Sequence, residues 1–186
     1  MASKAGRPNG VPWRLLGWGG AVALLTVPLL LQFTWTLSDF IFAGAVFAIV
    51  GGTFELAVRK SGNKWYRAGV AVALATAFLL VWINGAVGVI RDEENPANLM
   101  FMVVILMATA GAIASRFEAE GMARAMFVAA AANGLICVIV AVNGLGAGEP
   151  PGFPEVPILT AGFAGMWGLS ALLFRQAAAT DNRVEG

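Results

Sequence analysis

The chain has 186 residues, of which 59 % are hydrophobic and 12 % charged, with 12 lysines and arginines against 11 acidic residues. In soluble domains, about a quarter of the residues are charged. This composition therefore excludes a disordered chain and a nucleic-acid-binding protein with a basic face, and it disfavours a water-soluble globule. The sequence has no histidine and one cysteine, Cys137. We therefore predict no cofactor, and in particular neither haem nor a zinc site.

Six apolar stretches are each close to the length of about 20 residues that a helix needs to cross a bilayer. They cover residues 15–33, 40–58, 68–90, 96–115, 122–144 and 156–174. We predict an all-α integral membrane bundle of six transmembrane helices within residues 15–174. An N-terminal tail (1–14) and a C-terminal tail (175–186) flank it. The lipid bilayer is the expected partner, and no nucleic acid is expected.

Basic residues predict the orientation of these spans, because lysine and arginine favour cytoplasmic loops. If both termini lie in the cytoplasm, eleven of the twelve basic residues fall on the inner side, and Arg91 alone falls outside. Lys4, Arg7 and Arg14 precede the first span as they would in a signal peptide. However, its apolar run is long and no small-residue cleavage site follows, so we expect a retained helix.

Small residues recur at four-residue spacing on three of the predicted spans. Such spacing lets helices approach closely in lipid. We expect these faces to pack within the bundle or to bind a second copy or a membrane-complex partner. They are Gly44, Ala48 and Gly52 on the second span; Gly69, Ala73 and Ala77 on the third; and Ala125 with Ala129, then Ala130 with Gly134, on the fifth.

The second and third spans resemble the fourth and fifth. The segment that begins at Arg67 is similar to the one that begins at Arg124, and the Asn-Gly pair at Asn84 is similar to the pair at Asn143. A duplicated two-helix unit would give parallel repeats related by an axis along the membrane normal. Alanine-rich composition is the alternative explanation for the similarity.

Uncharged polar residues inside the spans mark the first candidate site. In the repeat alignment Thr76 corresponds to Asn133, and Asn84 corresponds to Asn143. One hypothesis is that Thr76, Asn84, Asn133 and Asn143 line a polar route between the third and fifth helices. The alternative is ordinary hydrogen bonding between helices.

Charged residues give two further candidates. Asp39, Asp92, Glu93 and Glu94 form an outer acidic cluster, whose oxygens suit Mg²⁺ or Ca²⁺, although the spacing of an EF-hand is missing. A solvated acidic loop is the alternative. Asn95 and Pro96 follow as the expected cap and first residue of the fourth span.

On the inner side, Glu55 and Arg59 are four residues apart and can pair along the helix. Glu55 is either a cation-coupling carboxylate or a group that reaches the headgroups.

The chain resembles a group of uncharacterised, small, multi-pass bacterial inner-membrane proteins. The similarity lies in Trp82-Ile-Asn-Gly-Ala-Val-Gly88, Glu94-Asn-Pro-Ala-Asn-Leu-Met100, Arg116-Phe117 and Gly121-Met-Ala-Arg-Ala-Met126. It covers the third to fifth spans. The resemblance implies a bacterial cytoplasmic (inner) membrane location and nothing about mechanism.

Three functions are compatible with these features. Small-solute transport or permeation is favoured by the buried amides and the repeat. A non-catalytic accessory or assembly subunit of a larger membrane complex is favoured by the small-residue faces. An enzyme is the least favoured, because the sequence has no nucleophile–base pair, phosphate-binding loop or metal cluster. Such an enzyme would have to rely on the carboxylates of the outer acidic cluster.

Overall fold

The computed structural model describes residues 13–31, 34–90, 94–145 and 155–185. Every regular element in these ranges is helical, which confirms the all-α prediction. The helices are α1 (Trp13–Leu30), α2 (Leu37–Lys60), α3 (Lys64–Ala86), α4 (Leu99–Ala114), α5 (Ala119–Asn143) and α6 (Glu155–Glu185), with a short 3₁₀ helix (Pro96–Asn98) directly before α4.

Five stretches are long and apolar enough to cross a membrane. Four of them correspond to α2, α3, α5 and most of α6, and the fifth joins the 3₁₀ helix to α4. The protein is therefore a multi-pass membrane protein by helix length and composition. The apolar part of α1 that the structure describes, Gly17–Val27, is shorter. The sixth crossing and the orientation of the spans stay predictions.

The chain divides into two compact units, Met1–Thr53 and Phe54–Gly186. In the first unit, the Trp18 indole lies against Gly51, where a Cβ atom would come within 3.1 Å of the ring. Asp39 stabilises the start of α2, because its carboxylate accepts hydrogen bonds from the Thr36 N–H at 2.7 Å and the Thr36 hydroxyl at 2.8 Å. This is one half of a capping box.

The second unit contains the four helices α3 to α6 and the end of α2. α6 packs against both α5 and α3, and α4 packs against α5, whereas α3 and α4 touch least among these pairs. Most of the buried residues of α6 recur three or four positions apart, which is typical of helices packed side by side with a left-handed twist. They are Thr160, Phe163, Trp167, Ser170, Phe174 and Ala177, and Ala171 is buried next to Ser170. α5 shows the same spacing at Met122, Met126, Ala129, Asn133, Ile136 and Val140.

The predicted small-residue faces divide between the core and the surface. Gly69 lies against the Phe174 ring, with the built Cβ position 3.1 Å from it, and Ala129 is fully buried. By contrast, a Cβ atom added at Gly44, Gly52 or Gly134 would meet no atom of the described ranges within 4 Å. The helices predicted to be repeat equivalents, α3 and α5, both contact α6, and the repeat itself stays a prediction.

α3 ends at Ala86, four residues before the end of the third predicted span. The reason is Gly88, whose φ of 70° turns the chain out of the helix. Val89 and Ile90 are nevertheless buried, because the segment folds back over the start of α4. The Ile90 N–H donates to the Asn98 side-chain oxygen at 2.8 Å. Asn95 caps the 3₁₀ helix and Pro96 follows it, as the sequence predicts.

α6 continues to Glu185, although the last predicted span ends at residue 174. Most of the segment assigned to a C-terminal tail is therefore helical. Ala177 is fully buried there, and its carbonyl accepts a hydrogen bond from Asn63 Nδ2 at 3.2 Å. The same Nδ2 donates to Asp181 at 2.9 Å, so the extension of α6 is fixed to the α2–α3 loop.

Candidate functional site

Asn133 is one of the fully buried polar residues of the second unit. Its side chain is fully buried, and Nδ2 donates to the Thr160 carbonyl of α6 at 2.8 Å. Only the NH₂ group can donate to a carbonyl, so this bond fixes the orientation of the amide. Oδ1 must therefore point elsewhere, and it has no hydrogen-bond partner among the residues that the structure describes. Asn133 lies about 21 Å along the helix axis from the first residue of α5.

A second hydrogen bond joins the same two helices one turn away. The Cys137 thiol is 3.3 Å from the Pro157 carbonyl, to which it donates. Cys137 follows Asn133 by four residues, whereas Pro157 precedes Thr160 by three, which is the register of antiparallel helices. The Thr160 hydroxyl donates to the Val156 carbonyl of its own helix at 2.7 Å. The α5–α6 interface is thus fixed by side chains at this level.

Trp167 adds an unpaired donor to the buried face of α6. The residue is 2 % exposed, and its Nε1 has no hydrogen-bond partner within the described part of the chain. It lies two turns from Thr160, about 10 Å along the axis. Between α6 and α3, the Ser170 hydroxyl donates to the Gly69 carbonyl at 2.9 Å. Among the described residues, the buried side-chain atoms without a hydrogen-bond partner are thus the Oδ1 atoms of Asn84 and Asn133 and the Nε1 of Trp167. We define Asn133 together with Thr160, to whose carbonyl it donates, as the amide site.

The other residues of the predicted polar route use their polar groups locally. Thr76 is fully buried, but its hydroxyl donates to the Val72 carbonyl of the same helix. Asn84 is half-buried and donates to Leu80, and its Oδ1 is unpaired. Asn143 is exposed and donates to Ile139. The structure thus brings Thr76 and Asn133 into the core and leaves Asn143 at the surface.

The outer acidic cluster is described only in part. Asp39 and Glu94 are exposed, and Asp39 bonds to Thr36, whereas Asp92 and Glu93 lie outside the described residues. Within the part of the chain that the structure describes, no three His, Cys, Asp or Glu side chains are grouped to hold a metal ion.

Glu55 and Arg59 form an ion pair in the last part of α2, with 2.6 Å between Oε1 and Nη2. The Arg59 side chain is 63 % exposed and that of Glu55 is 20 % exposed. This position allows the arginine to reach the headgroup region. The pair is formed as the spacing predicts.

The sequence alone did not point to two residues that contribute to this arrangement. Thr160 accepts a hydrogen bond from α5 through its carbonyl, and Ser170 donates one to α3. Their spacing along residues 160–177 was a usable signal, since these polar residues share one helix face with Phe163, Phe174 and Ala177. Searches of protein-family models, curated proteins and solved structures found no match to the chain.

Proposed function

We propose that this multi-pass membrane protein carries a small neutral solute across a bacterial inner membrane, and that Asn133 is its main binding contact. The observation that carries the proposal is the Oδ1 atom of Asn133, which is buried and has no partner among the described residues of the helix bundle. A buried polar group without a partner costs about 1–3 kcal/mol. A solute that donates a hydrogen bond to Oδ1 would offset this cost.

The chemistry of the core suggests what kind of solute would bind. Among the described residues, the buried polar side chains are Thr76, Asn98, Asn133, Thr160 and Ser170, all of them uncharged. An ion would gain little in such an environment, whereas a neutral molecule would lose less hydration. Asn133 supplies an unpaired acceptor. We therefore favour a small neutral solute that carries hydrogen-bond donors, such as a small amide or polyol.

The topology belongs to the same proposal. We propose six spans with both termini in the cytoplasm, so that the α2–α3 and α4–α5 loops face inward. The support is the basic character of these loops, which contain or adjoin Lys60, Lys64, Arg67, Arg116 and Arg124. We refer to this end of the second unit as the basic end.

Solute flux into proteoliposomes tests the proposal. Purified protein should accelerate the entry of urea or glycerol, measured by light scattering, and Asn133→Leu should reduce the protein-dependent flux at least tenfold. Asn143→Leu is the matched control, because Asn143 is exposed and bonds within its own helix. Both variants should keep the helical content of the parent. Equal flux through the parent and Asn133→Leu would exclude Asn133 as the binding contact.

A second candidate is a non-catalytic subunit of a larger membrane complex, and the open face of α2 favours it. Gly44 and Gly52 have space for a Cβ atom, and Ala48 between them is exposed. Small residues at this spacing allow a second helix to approach closely. Purification in mild detergent should then recover a stoichiometric partner or a second copy, and Gly52→Ile should release it. A monodisperse single chain would count against this role.

A further inference from the structure

The turn between α4 and α5 has an unusual backbone. Arg116 and Phe117 are consecutive residues with φ angles of 53° and 61°. A Cβ atom makes this left-handed conformation unfavourable, and glycine is the residue that usually adopts it after a helix. Here the Phe117 N–H closes the helix end by donating to the Ala112 carbonyl at 3.0 Å. The turn therefore holds strain that its local sequence does not relieve.

Two side chains from other helices hold this turn. The Lys60 ammonium at the end of α2 donates to the Arg116 carbonyl at 2.9 Å and lies 5.4 Å from the centre of the Phe117 ring. The Tyr66 hydroxyl on α3 donates to the Phe117 carbonyl at 2.8 Å. We call these four residues the clasp. Each strained residue thus offers its carbonyl to a donor from outside the α4–α5 hairpin.

The two donors of the clasp, Lys60 and Tyr66, lie where α2, α3 and α6 are joined by further hydrogen bonds. Arg67 donates to the carbonyls of Ser61 and Val58, at 2.7 and 2.9 Å, and so joins α3 to the end of α2. Asn63 in the loop between them donates to Ala177 and Asp181 of α6. The clasp therefore connects the α4–α5 turn to a base made of α2, α3 and α6.

The position of the clasp gives it a mechanical role. The contact between α3 and α4 is much less extensive than that of α3 with α6 or of α4 with α5. Tyr66 bridges these two helices at the basic end, where α3 begins and α4 has just ended. Elsewhere the hairpin is held by α5, which packs closely on α6. To separate α3 from α4 at this end, the protein would have to break the clasp and only a few packing contacts.

We infer that the clasp is a conformational device that holds the α3–α4 contact closed at the basic end and is poised to release it. When the hydrogen bonds from Lys60 and Tyr66 to the two carbonyls break, Arg116 and Phe117 can leave the left-handed conformation. The relief of strain then favours the open state. This inference does not depend on solute transport, and its test measures opening alone.

Hydrogen exchange in lipid nanodiscs tests the device. Tyr66→Phe removes the hydroxyl and keeps the ring, which packs edge-on against Phe174 at 5.2 Å. We expect amides of residues 112–118 to exchange about three- to tenfold faster, the effect of one lost hydrogen bond. Amides of residues 128–140 should exchange as in the parent. Equal acceleration in both segments would mean general destabilisation and would overturn the inference.

Arg116→Gly should change the exchange rate of residues 112–118 in the opposite direction. Glycine adopts the left-handed conformation without strain, so the same amides should exchange more slowly than in the parent. Combined with Tyr66→Phe, it should restore exchange to near the rate of the parent. An unchanged rate in Tyr66→Phe, or faster exchange in Arg116→Gly, would contradict the device.

Discussion

Gly111 on α4 faces Ala125 on α5 so closely that a Cβ atom built on the glycine would lie 2.6 Å from the Cβ of the alanine. Carbon atoms in van der Waals contact are about 3.5–4.0 Å apart. The two backbones can therefore keep this separation only while position 111 has no side chain. Because Ala125 has no flexible atoms that could move aside, the contact fixes the spacing of the α4–α5 hairpin.

We expect Gly111→Ala to destabilise the protein by about 1–3 kcal/mol, since overpacking a close contact has costs of this size. The measurement is thermal unfolding in detergent, followed by circular dichroism. Gly134→Ala is the matched control on the facing hairpin helix, because a Cβ there meets nothing within 4 Å. The control should leave the stability unchanged or raise it slightly. Equal unfolding temperatures for both variants would contradict the close contact.

Removal of the Ser170 hydroxyl should weaken the α3–α6 contact. Ser170→Ala deletes the hydrogen bond to the Gly69 carbonyl, which joins the helices where Phe174 covers the glycine. Hydrogen bonds between membrane helices contribute about 0.6–2 kcal/mol, so we expect a loss in this range. Unfolding in mixed micelles with a denaturing detergent measures it. Thr109→Ala, at an exposed residue that bonds to its own helix, should produce no comparable loss.

Asn98 should be important for the segment that precedes α4. In Asn98→Ala the Ile90 N–H loses the acceptor to which it donates at 2.8 Å. Ile90 is fully buried, and an unpaired buried donor costs about 1–3 kcal/mol. Limited proteolysis should then cut faster near residues 87–95. If Asn98→Ala and the exposed-site variant Asn143→Ala are cut at the same rate, the segment is not held as described.

The Glu55–Arg59 pair should contribute little to stability. Its arginine is 63 % exposed, and pairs of this kind on a helix are worth about 0.3–0.5 kcal/mol. We expect Glu55→Gln to lower the free energy of unfolding by no more than this. Solute flux in proteoliposomes should also keep the same pH dependence. If Glu55→Gln shifted the pH dependence of solute flux, this result would support a role for the Glu55 carboxylate in cation coupling.

The helices were predictable because hydropathy and chain length dominate in a membrane protein. Five of the six predicted spans correspond to long apolar helices, and the errors lie at their ends. α3 stops early because Gly88 adopts a positive φ. α6 runs on past residue 174 because Ala177 packs into the core and Asp181 bonds to Asn63.

The candidate site was predictable only in part. Asn133 is notable in the sequence as an amide in the middle of a span. Its acceptor, the Thr160 carbonyl, is a backbone group and leaves no trace in the residue type. Which helices are neighbours depends on packing that hydropathy does not encode. The sequence therefore could not show that Thr76 bonds within its own helix, whereas Asn133 bonds across to α6. For the same reason the clasp at Tyr66 and Phe117 was not foreseen.

Labelling of single cysteines tests the membrane account most directly. In a Cys137→Ser background, cysteines are placed at Gly62 and Glu118 in the loops of the basic end, and at Glu94 and Asn143 at the other end. An impermeant maleimide is then added to intact cells. The account predicts that positions 94 and 143 react at once, whereas positions 62 and 118 react only after permeabilisation. Reaction of position 62 together with position 94 in intact cells would contradict it.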